Sequence, residues 1–126
     1  MSAVLDASAL LAYLQDEPGK GHVSAVLGGA KISCVNAAEV ISKLTDTGLG
    51  EAAIRNLFNE VAVELVSFDA AQAWQSGALR PLTRHRGLSL GGRACLALAM
   101  AKKAAVITAD RNWLDLGLDI EITSIR

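Results

Sequence analysis

The chain has 126 residues, 52% of them hydrophobic, which suits a compact core and is too apolar for a disordered chain. Its formal net charge of -1 excludes nucleic-acid binding through bulk positive charge and leaves room only for a local basic patch. The two cysteines, Cys34 and Cys95, lack metal-type spacing and read as small core residues in a reducing compartment.

Along the chain, the apolar run Ala3-Val4-Leu5 ends at Asp6, the pattern of a buried strand. A helix follows over about 7–15, with Leu10, Leu11 and Leu14 on one face. Pro18, Gly19 and Gly21 mark a loop. A short helix over about 22–28 leads to a strand at 31–35 that contains Cys34. Asn36 is placed to cap the next helix, roughly 37–47, which turns Val40, Ile41 and Leu44 inward. Gly48 and Gly50 separate it from a helix whose apolar set is Ile54, Leu57, Phe58 and Val61, the spacing of a core-facing stripe. A third strand spans 63–68, and Asp69 caps a helix from 70 to about 84. The glycine pair Gly91-Gly92 opens a helix over about 92–103 that holds Cys95. A fourth buried strand, 105–108, is closed by Asp110; a helical turn near 112–116 and an edge strand at 121–125 complete the chain. Strands and helices alternate, so the expected class is α/β, with a mostly parallel sheet of four to five strands, helices on both faces and one domain over 1–126.

No basic segment precedes the first apolar run, and Asp6 interrupts it. The apolar stretch 94–108 is broken by Lys102 and Lys103 and is too short to span a bilayer. The expectation is a cytoplasmic protein with no membrane association.

Parallel sheets bind ligands beyond the carboxyl ends of their strands. Asp6 follows the first strand, Glu39 lies early in the helix after the second, and Asp110 follows the fourth, so three acids converge on one sheet edge. Carboxylate oxygens suit hard cations such as Mg²⁺ or Mn²⁺, which activate water and steady in-line attack on phosphorus. Each acid also has a plainer reading: Asp6 and Asp110 as helix caps, and Asn36-x-x-Glu39 as a capping box.

Four blocks in order carry a family resemblance: VLDASALLAYL at 4–14, ISCVNAAEVISKL at 32–44, LSLGGRACLALA at 88–99 and VITADRNW at 106–113. With them the sequence resembles the PIN-domain ribonucleases, in particular the VapC toxins of toxin–antitoxin pairs. The resemblance implies an α/β/α sandwich, metal-dependent endoribonuclease activity on structured RNA (tRNA or rRNA), a VapB-type antitoxin partner and a homodimer. It carries over catalytic and metal-binding roles to Asp6, Glu39 and Asp110. The remaining family acid belongs at the second place of the Gly91-Gly92 pair, so Gly92 stands where an aspartate is expected. Glycine is a tolerable cap there, but one lost charge near a cation matters by ~4 kcal/mol per cation charge at about 4 Å and an effective dielectric of about 20, before desolvation offsets it.

Other candidates surround this set. Ser8 and Thr108 are placed to bond a carboxylate or phosphate, Asn112 to reach metal-bound water, and Arg93 to pair with the acids or phosphate. Arg80, Arg84 and Arg86 lead into the site as RNA contacts, or as an ordinary basic helix end. Trp74 reads as a dimer or antitoxin surface and Trp113 as packing over the sheet rim. His22 and His85 match no ligand or triad spacing. Two functional readings remain: an endoribonuclease impaired at Gly92, or a silent binding protein that dimerises and grips an antitoxin or RNA without cleavage. A phosphoacceptor receiver would need an acid pair after strand one, where only Asp6 stands.

Overall fold

The structure, a computed structural model, describes residues 2–126. Five strands, β1 (Ala3–Leu5), β2 (Lys31–Ser33), β3 (Glu64–Val66), β4 (Ala105–Thr108) and β5 (Ile122–Ser124), form one sheet. Their order is β3-β2-β1-β4-β5, and every neighbouring pair is parallel. The helices are α1 (Ala7–Leu14), α2 (Lys20–Val26), α3 (Cys34–Asp46), α4 (Glu51–Val61), α5 (Ala70–Ala78), α6 (Arg80–Thr83) and α7 (Leu90–Lys102). The α/β alternation read from the sequence is therefore realised as an all-parallel sheet flanked by helices.

Period-two alternation decides which layer each strand residue enters. Leu5 and Ile107 face one core with Leu10, Val23 and Val40. Their neighbours Val4 and Val106 face the other, with Leu79, Leu96, Leu98 and Trp113. The sheet thus has a buried face on each side, the condition for a three-layer α/β/α sandwich. Helix α7 is its most enclosed element: Gly91, Gly92 and every residue from Ala94 to Ala99 are buried. β1 is central, with β2 on one side and β4 on the other, so successive connections leave in opposite directions and open a crevice at the carboxyl ends of β1 and β4.

Local chemistry corrects several boundaries. Helix α3 starts at Cys34, not 37, because Ser33 takes the cap and its hydroxyl accepts from Val35 N. Asn36 is therefore inside the first turn rather than at the cap, and Cys34 is a half-buried helix residue rather than a strand residue. The helix expected over 70–84 breaks after Ala78, since Pro81 has no N–H to continue the ladder. Its remainder is α6 and a 3-10 turn at Arg84–Arg86. Helix α7 begins two residues before Gly92, at Leu90, because Ser89 is the cap and accepts from Gly92 N at 3.3 Å. Gly92 occupies the third helical position, not the cap itself.

Leu98 is wholly buried between α7 and the sheet. Leu98→Ala should cost about 2–5 kcal/mol of unfolding free energy. Urea denaturation followed by circular dichroism measures it; a loss well below that range would contradict the packing described.

Candidate active site

Asp6 is where strand, helix and sheet edge meet. It ends β1 and caps α1, its Oδ1 accepting from Ala9 N at 2.8 Å. The Ser8 hydroxyl donates to both carboxylate oxygens, at 2.8 and 2.9 Å, and Thr108 Oγ1 donates to Oδ2 at 2.7 Å. Those hydroxyls also accept: Ser8 Oγ from Ala109 N at 2.9 Å and Thr108 Oγ1 from Asp110 N at 3.0 Å. Asp110 accepts from Asn112 N at 2.9 Å. Asp6 is thus tied through two side chains to the end of β4, and Ser8 and Thr108 hold it as the sequence reading expected of carboxylate-bonding hydroxyls.

Burial pushes the Asp6 carboxyl above the usual carboxylate range; its hydrogen bonds from Thr108, Ala9 and Ser8 oppose the rise, and the charge of Glu39 adds to it. Beneath the acids lies Cys95. Burial, and then the charges of Asp6 and Glu39, push its thiol well above its ordinary value, so it remains a protonated core residue.

Glu39 arrives from the second turn of α3 and accepts from Asn36 Nδ2 at 3.0 Å. The same nitrogen donates to Gly91 O at 2.9 Å, joining α3 to the first turn of α7. Asp6, Ser8, Asn36, Glu39, Asp110 and Asn112 line one pocket of about 360 Å³. Lys43 and Arg86 line it too, and Leu11, Leu88, Gly92 and Trp113 supply apolar wall. The pocket's convergent polar groups and the shifted Asp6 carboxyl, rather than its size, mark it as a candidate ligand site.

Other candidates fall outside. Arg93 turns its guanidinium to α5, donating from Nη1 to Ser76 O at 3.0 Å, and does not line the pocket. Of the three basic candidates only Arg86 lines it; Arg80 and Arg84 are exposed elsewhere on α6 and the 3-10 turn. Asn112 lines the pocket but spends its amide on Arg86 O at 2.6 Å, which pins the arginine's turn against the turn after β4. Sequence reasoning passed over Lys43, Leu88 and the bonding role of Asn36. The Asn36-x-x-Glu39 spacing was visible, but it equally fits a capping box.

Oxygen donors of this kind suit a hard divalent cation. Their arrangement does not: among the described residues, no three His, Cys, Asp or Glu side chains gather closely enough to hold a metal ion. Gly92 lines the same pocket without a side chain. A Cβ there would meet Trp113 Cζ2 at 3.1 Å and Leu88 Cγ at 3.2 Å, so the wall is apolar and slightly too close. The residues present do not fit a complete metal centre.

A family model described as "PIN domain" matches residues 3–117. No curated protein matches the sequence. Among solved structures, the chain is similar to a toxin–antitoxin complex from Klebsiella pneumoniae, with TM-score 0.78 and 17% identity over 99% of this chain and 98% of that one. It is also similar to VapBC2 from Rickettsia felis bound to a DNA fragment from their promoter, with TM-score 0.72 and 15% identity over 98% of each chain. FitAcB from Neisseria gonorrhoeae gives TM-score 0.68 and 18% identity over 98% of this chain and 97% of that one. At such identities the likeness is one of fold.

The raised Asp6 pKa has a definite sign. The folded state holds the Asp6 proton more tightly than the unfolded chain, so stability falls as pH rises from the ordinary carboxylate range through the raised value, and stays lower above it. Asp6→Asn should therefore melt higher than the parent at neutral pH, and its advantage should shrink on acidification. Thermal melts across that range test this; a gap independent of pH would refute it.

Proposed function

The chain belongs to the PIN domain family, matched over residues 3–117, and from that premise we propose that it is a VapC-type endoribonuclease toxin whose hydrolytic site is impaired at Gly92. PIN domains are generally nucleases that use divalent metal ions. The observation that carries the proposal is that Asp6, Glu39 and Asp110 line one pocket beside Gly92, at the switch point of a parallel sheet. The substrate is structured RNA, tRNA or rRNA, cut to leave a 5′-phosphate and a 3′-hydroxyl. When complete, such a site takes Mg²⁺ or Mn²⁺, which supplies an activated water and charge neutralisation.

This chain's own residues divide the remaining work. Ser8 and Thr108 fix the Asp6 carboxylate, and Asn36 fixes that of Glu39. Lys43 and Arg86 put positive charge on the pocket rim, where a phosphodiester would lie. Trp113 is buried as a wall and serves packing more than base stacking. Two surfaces suit the expected partners. Trp74 is 82% exposed beside a groove lined by Ala73, Gly77, Ala78 and Pro81. Ile41, Leu49, Phe58 and Leu65 line a second groove that involves α3 and α4. A homodimer and a VapB-type antitoxin are assigned to these faces, in a single-domain protein of the cytoplasm. Among the described residues, no helix is long and apolar enough to cross a membrane.

A second reading has its own support. Because, among the described residues, no three acids stand close enough to hold a metal ion, the observations also support a binding member of the family that dimerises and holds antitoxin or RNA without cutting. Gly92→Asp separates the two. In the nuclease reading the variant binds Mn²⁺ at least about tenfold more tightly by isothermal titration, for which a gain of ~1.4 kcal/mol suffices. It also cleaves structured RNA faster than the parent, and Asp110→Asn in the same background removes that activity. A variant that gains neither Mn²⁺ binding nor cleavage leaves the binding-only reading standing.

A further inference from the structure

Asn36 sits in the first turn of α3 with 1% of its surface exposed. Its amide nitrogen faces Glu39 Oε1 and Gly91 O, both of which only accept, so chemistry fixes which end of the amide points there. Asn36 Oδ1 is left buried without a partner. An orphaned polar atom of this kind costs stability and calls for a reason. A residue selected for the fold alone would be apolar here.

Gly91 supplies the other half of the arrangement. A Cβ at this position would stand 2.7 Å from Glu39 Cδ, closer than real contacts allow. The φ angle at Gly91 is not positive, so a side chain here would be opposed by the Glu39 carboxyl and not by backbone conformation. Helix α7 has no acid in its own first turn. Glu39 brings one from α3 and sets it against that turn, where the helix dipole favours negative charge.

We propose that Asn36 and Gly91 form a seat for the Glu39 carboxylate, and that Asn36 is thereby the positioning residue of the pocket. The amide holds one carboxylate oxygen and at the same time anchors to α7, so the direction of Glu39 is set relative to Gly92 and not only to its own helix. The bare Cα of Gly91 is the floor of the seat. Its functional half rests on the reading of the pocket as an acidic nuclease site.

Asn36→Leu keeps the number and branching of the side-chain heavy atoms, in a bulkier group, while removing both the donor and the orphaned acceptor. In the Gly92→Asp protein it should weaken Mn²⁺ binding by about 10- to 100-fold, the usual effect of losing a partner that orients a metal ligand. Gly91→Ala should weaken Mn²⁺ to a similar degree by evicting the carboxylate from the opposite side. In the unaltered chain, nitrogen-labelled for NMR, Glu39→Ala should shift the Asn36 side-chain amide and leave that of exposed Asn59 in place. An unmoved Asn36 amide means there is no seat. Unchanged Mn²⁺ affinity in Asn36→Leu means that the seat positions nothing, and the proposal falls in either case. If Gly92→Asp itself binds no Mn²⁺, the nuclease reading has failed, while the amide resonances still decide whether the seat exists.

Discussion

One buried carboxylate organises this molecule. Asp6 closes β1, caps α1 and, through the hydroxyls of Ser8 and Thr108, is bonded to the end of β4. Residues a hundred positions apart in the chain are thereby fastened at one sheet edge. Burial disfavours its charge, and three donors return part of that cost. Such a group contributes less to stability than an apolar residue of similar volume could. What it does provide is a fixed, partly destabilised acid at the mouth of a crevice, the arrangement in which perturbed carboxyls serve chemistry.

The other acids are held by different means. Asp110 is capped into the turn after β4 and is exposed. Glu39 sits at a contact between helices, α3 against the first turn of α7, where Gly91 presents bare backbone to it. The glycine pair differs in kind. Gly91 makes room for Glu39, whereas Gly92 faces Trp113 and Leu88.

Solved structures with 15–18% identity share this fold over nearly the whole chain. Such divergence is tolerated because the sheet and its two cores ask only for apolar residues at alternating positions and for helices of the right length. The pocket asks for more. Fold is therefore secure here, while function turns on single side chains.

The sequence by itself determined the alternation of strands and helices, the two-faced sheet and the convergence of Asp6, Glu39 and Asp110 at one edge. Each of these follows from periodicity along the chain and from the rule that parallel strands expose their carboxyl ends together. Resemblance to a family, and not periodicity, singled out Gly92 as a place where an aspartate is expected. Boundaries were less legible: Ser33 took a cap that Asn36 was equally able to fill, and Pro81 broke a helix whose apolar pattern ran on. Only the tertiary structure decided that Arg93 turns to α5, that Arg86 alone of its cluster reaches the pocket, and that Asn36 spans from Glu39 to Gly91. Those outcomes depend on which helix packs beside which, and on distances between residues 55 positions apart, as for Asn36 and Gly91. Local spacing carries no information about such distances, because they are set by the closing of the two cores around the sheet.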